Sequence, residues 1–177
     1  SHDGEKIKRM IGVPLEDMFR ELVQGLSDNE IRLYVAEYRK HYSVNHLKHT
    51  TILPGVIELL RKLKEQNFKL GIVTTKYRKF VLETLRFFSL IELFDTIVTG
   101  YEVKRHKPYP DVILEATRRL GLNPVNCVSV GDSPMDIEAG RRAGAITIAV
   151  LTGPYSKQQI LEVSPNFIVK SLESIQA

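Results

Sequence analysis

The sequence predicts an α/β fold, a doubly wound, Rossmann-like parallel sheet core with a small helical cap ahead of it. Three observations carry this reading. From Pro54 onward, short apolar runs such as Gly71-Ile72-Val73-Thr74 alternate with helical stretches. Those runs are continuously apolar rather than alternating, as strands covered on both faces must be. Residues up to about Thr51 carry helical periodicity with no strand among them. The expected division is 1–52 for a partial cap and 53–177 for a core lacking its first strand.

Within the cap region, Pro14 opens an amphipathic run with Leu15, Met18, Phe19 and Leu22 on one face, and Gly25 ends it. Ser27-Asp28-Asn29-Glu30 has the spacing of a capping box, in which each side chain satisfies the other residue's free amide. The helix it starts places Ile31, Tyr34, Val35 and Tyr38 together. In the core, Val56, Leu59, Leu60 and Leu63 give a helix, Leu70 to Thr74 a strand, Phe80 to Phe88 a helix and Thr96 to Thr99 a strand. Pro110 and Gly121 bracket the next helix, following the usual terminal asymmetry. Cys127 to Val130, a helix from Pro134 to Ala143 closed by Gly144, Ile146 to Val150, Phe167 to Val169 and a helical stub complete the alternation.

Composition narrows the function classes. The 177 residues are 43% hydrophobic and 26% charged, which is globular rather than disordered. A net charge of +4 spread along the chain suits small anions better than a nucleic-acid surface. No apolar stretch reaches membrane-spanning length and no signal peptide opens the chain, so no membrane partner is expected. The single Cys127 excludes an intramolecular disulfide framework and reads as a buried core thiol. A cytoplasmic protein, monomer or homodimer, is the expectation. Ser1-His2-Asp3-Gly4 reads as a tag scar.

In doubly wound sheets ligands sit beyond the carboxyl ends of the strands, so the residues after Val73, Thr99 and Val130 are the candidates. Asp132 leaves a strand end and Asp136 falls in the first turn of the next helix. Two carboxylates converging there suit a hard cation such as Mg²⁺, although Ser133 as N-cap with Asp136 as a favourable acid explains the same residues. Thr74 and Thr75 end a strand before a helix, where hydroxyls and free amides can cradle a phosphate or simply cap. Lys107, between His106 and Pro108, offers a fixed cation, while Lys104 and Arg105 are expected to face solvent.

Taken together and in this order, GIVTTK, HKPYPD and GDSPMDIEAGRRAG resemble three of the four motifs of the haloacid dehalogenase-like hydrolases. The stretch PGVIELLRKLKEQNFKLGIVTTK is similar to the phosphoglycolate phosphatase and pyrophosphatase branch, and IGVPLEDMF to the start of that branch's cap. The resemblance implies Mg²⁺-dependent hydrolysis of a small phosphorylated metabolite or pyrophosphate through an aspartyl-phosphate. It further implies that Thr74 hydrogen-bonds the transferring phosphoryl and Lys107 steadies the nucleophile. Asp132 and Asp136 would bind or orient the magnesium, with Asp132 the direct ligand, and the cap would exclude water.

The chain departs from the family in one respect. The first motif, an apolar strand ending in D-x-D-G-T, is not found; Asp3-Gly4 cannot stand in, since no apolar strand precedes it. Phe167 to Leu172 matches the family's ordinary ending, so the order is not permuted. The missing portion amounts to a strand, a loop and a first cap helix, ~25 residues at typical element lengths. In the family that strand lies mid-sheet, so two strand edges are expected to face a slot. Either the sequence omits residues the molecule contains, or the form is truncated or borrows a strand, or it is a non-catalytic descendant. The 177 residues alone are expected to be inactive. The rival reading is a non-catalytic phosphate- or protein-binding module on the same scaffold. A phosphomutase is also compatible, whereas a nucleotide-binding domain fits poorly because no glycine-rich phosphate loop occurs.

Other residues invite attention. His46 and His49 have one-turn spacing, but with no third ligand evident they read as solvent-facing. Arg39, Lys40 and His41 form a basic helix end that favours the dipole and could meet an anion. Lys76, Arg78 and Lys79 could steer anions or only solvate a helix start. Phe87-Phe88 reads as core.

Overall fold

Five short parallel strands separated by helices carry the core of this computed structural model, which describes residues 4–175. The strands are β1 (Gly71–Thr74), β2 (Thr96–Thr99), β3 (Val128–Gly131), β4 (Ile146–Val150) and β5 (Phe167–Val169). The helices are α1 (Gly4–Arg9), α2 (Leu15–Leu22), α3 (Asp28–Asn45), α4 (Val56–Glu65), α5 (Arg78–Phe87), α6 (Asp111–Leu120), α7 (Pro134–Ala143) and α8 (Lys157–Glu162). α1, α8 and short 3-10 turns aside, each had a sequence signal. The expected C-terminal stub is a 3-10 turn, Leu172–Ser174. The opening Ser1-His2-Asp3 lies outside the described residues.

The strands form two parallel sheets rather than one. β1 pairs with β2, Gly71 opposite Thr96, and β3-β4-β5 pair in that order, Val128 opposite Ile146 and Ile148 opposite Phe167. Among the described residues, β1 and β3 each have a ladder partner on one side only. One helical layer spans both sheets: α6 packs on β1, β2 and α7, while α7 packs on β3 and β4. At its centre Val98, Val112 and Ala139 are wholly buried, and Val73 packs against the cluster they belong to. The two valine side chains contribute roughly 1.5–3 kcal/mol each when fully buried. Small residues set the spacing, since a Cβ on Gly140 would stand 2.7 Å from Thr147 Cγ2 and 2.9 Å from Ser129 Cβ. Ser129 and Thr147 therefore face α7. By strand alternation Val128, Val130 and Ile146 point the other way, and all three are exposed.

The N-terminal helices form as their caps dictate. Ser27 N–H donates to Glu30 Oε2 at 2.9 Å and Glu30 N–H to Ser27 Oγ at 3.3 Å, completing the capping box of α3. α3 buries Ile31 and Val35 and packs on α2, but Tyr34 and Tyr38 are about half exposed because that face looks outward. Three sequence expectations need correction. Cys127 lies just before β3, half-buried at the sheet's lower end with Sγ 3.4 Å from the Asn123 carbonyl, so it is not a core thiol. Phe87 is 60% exposed, since α5 turns it outward while Phe88 packs inward. His46 is buried rather than solvent-facing, with Nε2 3.0 Å from Glu83 Oε2 across the junction of α3 and the core. His49 is exposed as expected, and the described residues contain no cluster of three or more His, Cys, Asp or Glu side chains.

The outer edge of β2 is closed by charge. Arg78 and Arg119 both donate to the Ile97 carbonyl, at 2.9 and 3.1 Å, and both pair with Glu102. Glu102 also accepts from Thr99 N–H and Oγ. Burial works to raise the Glu102 pKa, but the Thr99 hydrogen bonds and the two guanidinium groups outweigh it and hold it near about 2, against an ordinary 4.5. A depressed carboxyl contributes stability that is present above pH 4.5 and lost as pH falls toward about 2. Glu102→Gln is therefore expected to flatten the acid limb of the stability profile over that window. Urea denaturation of both proteins at several pH values checks this, and parallel profiles would show the prediction to be wrong.

Candidate active site

The two sheets bring their carboxyl ends to one cavity of about 280 Å³, lined by Thr74, Thr75, Lys107, Asp132, Asp136 and others. All five residues singled out in the sequence therefore meet, although they come from three separate strand-to-helix connections. Their mutual geometry follows from local structure. β1 ends at Thr74, whose Oγ accepts the Lys76 N–H at 3.1 Å and so turns the chain toward α5. With that lone pair used, the Thr74 hydroxyl keeps its hydrogen for a ligand oxygen.

Lys107 is largely buried, its side chain 10% exposed. Its ammonium donates to the Val73 carbonyl at 3.0 Å and to Asp136 Oδ1 at 2.7 Å. It thus ties the end of β1 to the start of α7 across the space between the two sheets. Ser133 N-caps α7: Asp136 N–H donates to Ser133 Oγ, which itself donates to Asp136 Oδ2 at 2.6 Å. The capping and the site readings of this segment are therefore both correct, since the cap is what aims Asp136. Burial would raise the Asp136 carboxyl, but Lys107 and the Ser133 hydrogen bonds hold it below its ordinary value. Asp132 behaves oppositely. Although the residue is exposed, partial burial of its carboxyl and the neighbouring Asp136 charge push it above the usual range, and Lys107 only partly offsets them.

Sequence reasoning missed the two glycines that make this approach possible. A Cβ on Gly131 would sit 2.3 Å from Asp136 Cβ, and one on Gly153 would sit 2.8 Å from Asp132 Oδ2. The only signal available was their place directly beside the carboxylates or just past β4, where glycine permits close backbone approach. Ile11, Gly12, Met135, Pro154 and Tyr155 also line the cavity and were not anticipated. Of the basic residues, Lys40 and His41 are exposed, and Arg105 pairs with Asp111 at 2.9 Å outside the cavity.

A hydroxyl, a buried lysine and a carboxylate pair thus stand at successive strand ends of this parallel α/β core, around one cavity. The chain belongs to the haloacid dehalogenase-like hydrolases, whose family model matches residues 1–150. Within that family it is 34% identical to the pyrophosphatase PpaX of Halalkalibacterium halodurans, over 93% of this chain and 75% of that protein. It is 33% identical to the PpaX of Bacillus pumilus, over 99% of this chain and 80% of that one. Its fold superposes with a TM-score of 0.90 on a protein of Bacteroides fragilis described as a haloacid dehalogenase-like hydrolase, at 30% identity, covering 98% of this chain and 82% of that one. β-Phosphoglucomutase of Clostridium difficile shares the fold at a TM-score of 0.85 and 23% identity. The expected family and α/β class are thus correct. No helix among the described residues is long and apolar enough to cross a membrane.

Proposed function

We propose that this chain is the scaffold and most of the active site of a Mg²⁺-dependent phosphohydrolase acting on a small phosphorylated metabolite or on pyrophosphate through an aspartyl-phosphate. The observation that carries this is the convergence of Thr74, Lys107, Asp132 and Asp136 on one cavity. The PpaX relatives support the pyrophosphate end of that range. Residues 1–52 would act as the cap and 53–177 as the core, in a cytoplasmic monomer or homodimer.

Each residue's part follows from its contacts. Thr74 donates its hydroxyl to a phosphoryl oxygen, and Thr75 lines the same cradle. Lys107 is pinned by Val73 and Asp136, so its charge stays fixed where negative charge develops and little reorganisation is needed. Asp132 would be the direct metal ligand, as the family resemblance implies, and Asp136, whose oxygens accept from Lys107 and Ser133, would orient the site. Two carboxylates suit Mg²⁺, which takes one or two from protein and fills its remaining positions with water and phosphate oxygens. When bound, the metal shields charge between an attacking carboxylate and the phosphoryl group.

The attacking group is the part these residues do not supply. None of the seven aspartates stands two positions from another, so the sequence holds no D-x-D pair. The open edges of β1 and β3 flank the cavity and are where a strand carrying that pair would hydrogen-bond. The second reading is a non-catalytic phosphate- or protein-binding module on the same scaffold. The deciding experiment is hydrolysis of pyrophosphate and p-nitrophenyl phosphate with Mg²⁺ by protein whose intact mass matches the 177 residues. No turnover is expected from such protein, and Mg²⁺-dependent turnover appearing only in a heavier species would support the phosphohydrolase reading. Mg²⁺-dependent turnover by the 177-residue species itself would overturn the claim that it lacks a nucleophile.

A further inference from the structure

Arg39 on α3 is the meeting point of four segments. Its guanidinium carbon lies 4.5 Å above the Tyr77 ring and 5.3 Å from the Tyr101 ring. Nη2 donates to Tyr101 Oη at 2.9 Å and to Glu16 Oε1 at 3.1 Å. The Tyr101 hydroxyl in turn donates to Glu16 Oε2 at 3.0 Å, closing a triangle. Glu16 belongs to α2, Tyr77 to the turn between β1 and α5, and Tyr101 to the turn after β2. Tyr77 and Tyr101 meet edge to face at 5.8 Å, so the two rings form a preset clamp for a planar cation. Arg39 and Glu16 are only 28% and 30% exposed, which limits solvent screening of the pair.

The base of α3 is held separately. His46 is buried between Tyr42 and Phe80, with ring centroids 5.1 Å away in each case, and its Nε2 reaches Glu83 on α5. α3 therefore has a fixed base beside the chain's passage into the core and a second, more exposed attachment at Arg39. Tyr77 is the N-cap residue of α5 and stands three positions beyond Thr74. Whatever holds Arg39 on Tyr77 also holds the helices over the turn that starts at Thr74 and Thr75.

We propose that Arg39 is a positioning residue, the latch that keeps α2 and α3 docked on the 74–77 turn, with α3 swinging about His46 when the latch is lost. The proposal goes beyond the phosphohydrolase reading and does not depend on it, because the readout is a distance in ligand-free protein. Dye pairs would be placed in a Cys127→Ser background, with one dye on α8 at Leu161→Cys. The other is on α3, at Leu33→Cys far from the base or at Val44→Cys near it; all three sites are exposed. Single-molecule energy transfer then reports each distance distribution.

Arg39→Ala is expected to raise the undocked fraction seen from Leu33 by about fivefold or more, in line with loss of a partly desolvated cation–π contact, and to leave the Val44 pair unchanged. Arg39→Lys should not rescue docking, because an ammonium keeps the charge facing Glu16 but not the stacked fork. An unchanged Leu33 distribution, equal movement of both dye pairs, or full rescue by lysine would each overturn the proposal. Should Arg39→Ala fail to fold, Tyr101→Phe decides the matter. It removes only the shared hydroxyl, and a partial broadening at Leu33 supports the latch while none refutes it.

Discussion

Replacing Lys107 with methionine is expected to destabilise the protein by about 3 kcal/mol, the usual cost of breaking a buried ion pair from one side. Methionine fills much of the lysine stem's volume but leaves the Val73 carbonyl and Asp136 Oδ1 without their donor. Asp136 is then a buried carboxylate with only Ser133 to satisfy it. The effect is larger than for the surface pairs of this protein, such as Arg20 with Asp28, because Lys107 and Asp136 side chains are only 10% and 18% exposed. The double variant with Asp136→Asn should recover part of the loss, since the uncompensated charge is gone. Urea denaturation of the single and double variants measures both effects. A Lys107→Met protein within about 1 kcal/mol of the parent would mean the pair is solvated, unlike a buried one.

Gly131→Ala is expected to disrupt the site through geometry rather than charge. The added Cβ would come within 2.3 Å of Asp136 Cβ and 2.8 Å of its Cγ, far inside van der Waals contact. Neither neighbour can yield cheaply, because Asp136 is locked into the first turn of α7 by the Ser133 capping box. Overpacking of this kind typically costs about 1–3 kcal/mol. The strain must also lengthen the 2.7 Å contact between Lys107 and Asp136, so the loss compounds at the site. An amide chemical-shift comparison localises the change, which should centre on residues 131–137 and 107. Wild-type stability with unshifted signals at those positions would refute the close-approach argument.

Much of this molecule was legible in the chain because the informative signals are local. The capping boxes at Ser27 and Ser133, the helix-ending Gly121 and Gly144, and the short apolar strands each act within a few residues, where sequence order and space coincide. The same holds for the five site residues, since a parallel sheet delivers every strand end to one side. His46 was misread because its burial depends on Phe80 and Glu83, which lie more than thirty residues away in the chain. Phe87 and Phe88 are adjacent in sequence, and only the packing of α5 against its neighbours separates the exposed ring from the covered one.

By itself, then, the sequence determined the order and kind of the elements, the parallel α/β class, the family and the convergence of Thr74, Thr75, Lys107, Asp132 and Asp136 on one end of the core. These rest on backbone periodicity, capping chemistry and strand direction, all short-range properties. The tertiary structure alone decided which charges neutralise one another, that Lys107 spans two separate sheets to reach both Val73 and Asp136, and that Arg39 closes against Tyr77 and Tyr101. Those outcomes depend on contacts between residues distant in sequence, where ångström differences in packing set whether a charge is paired, buried or free.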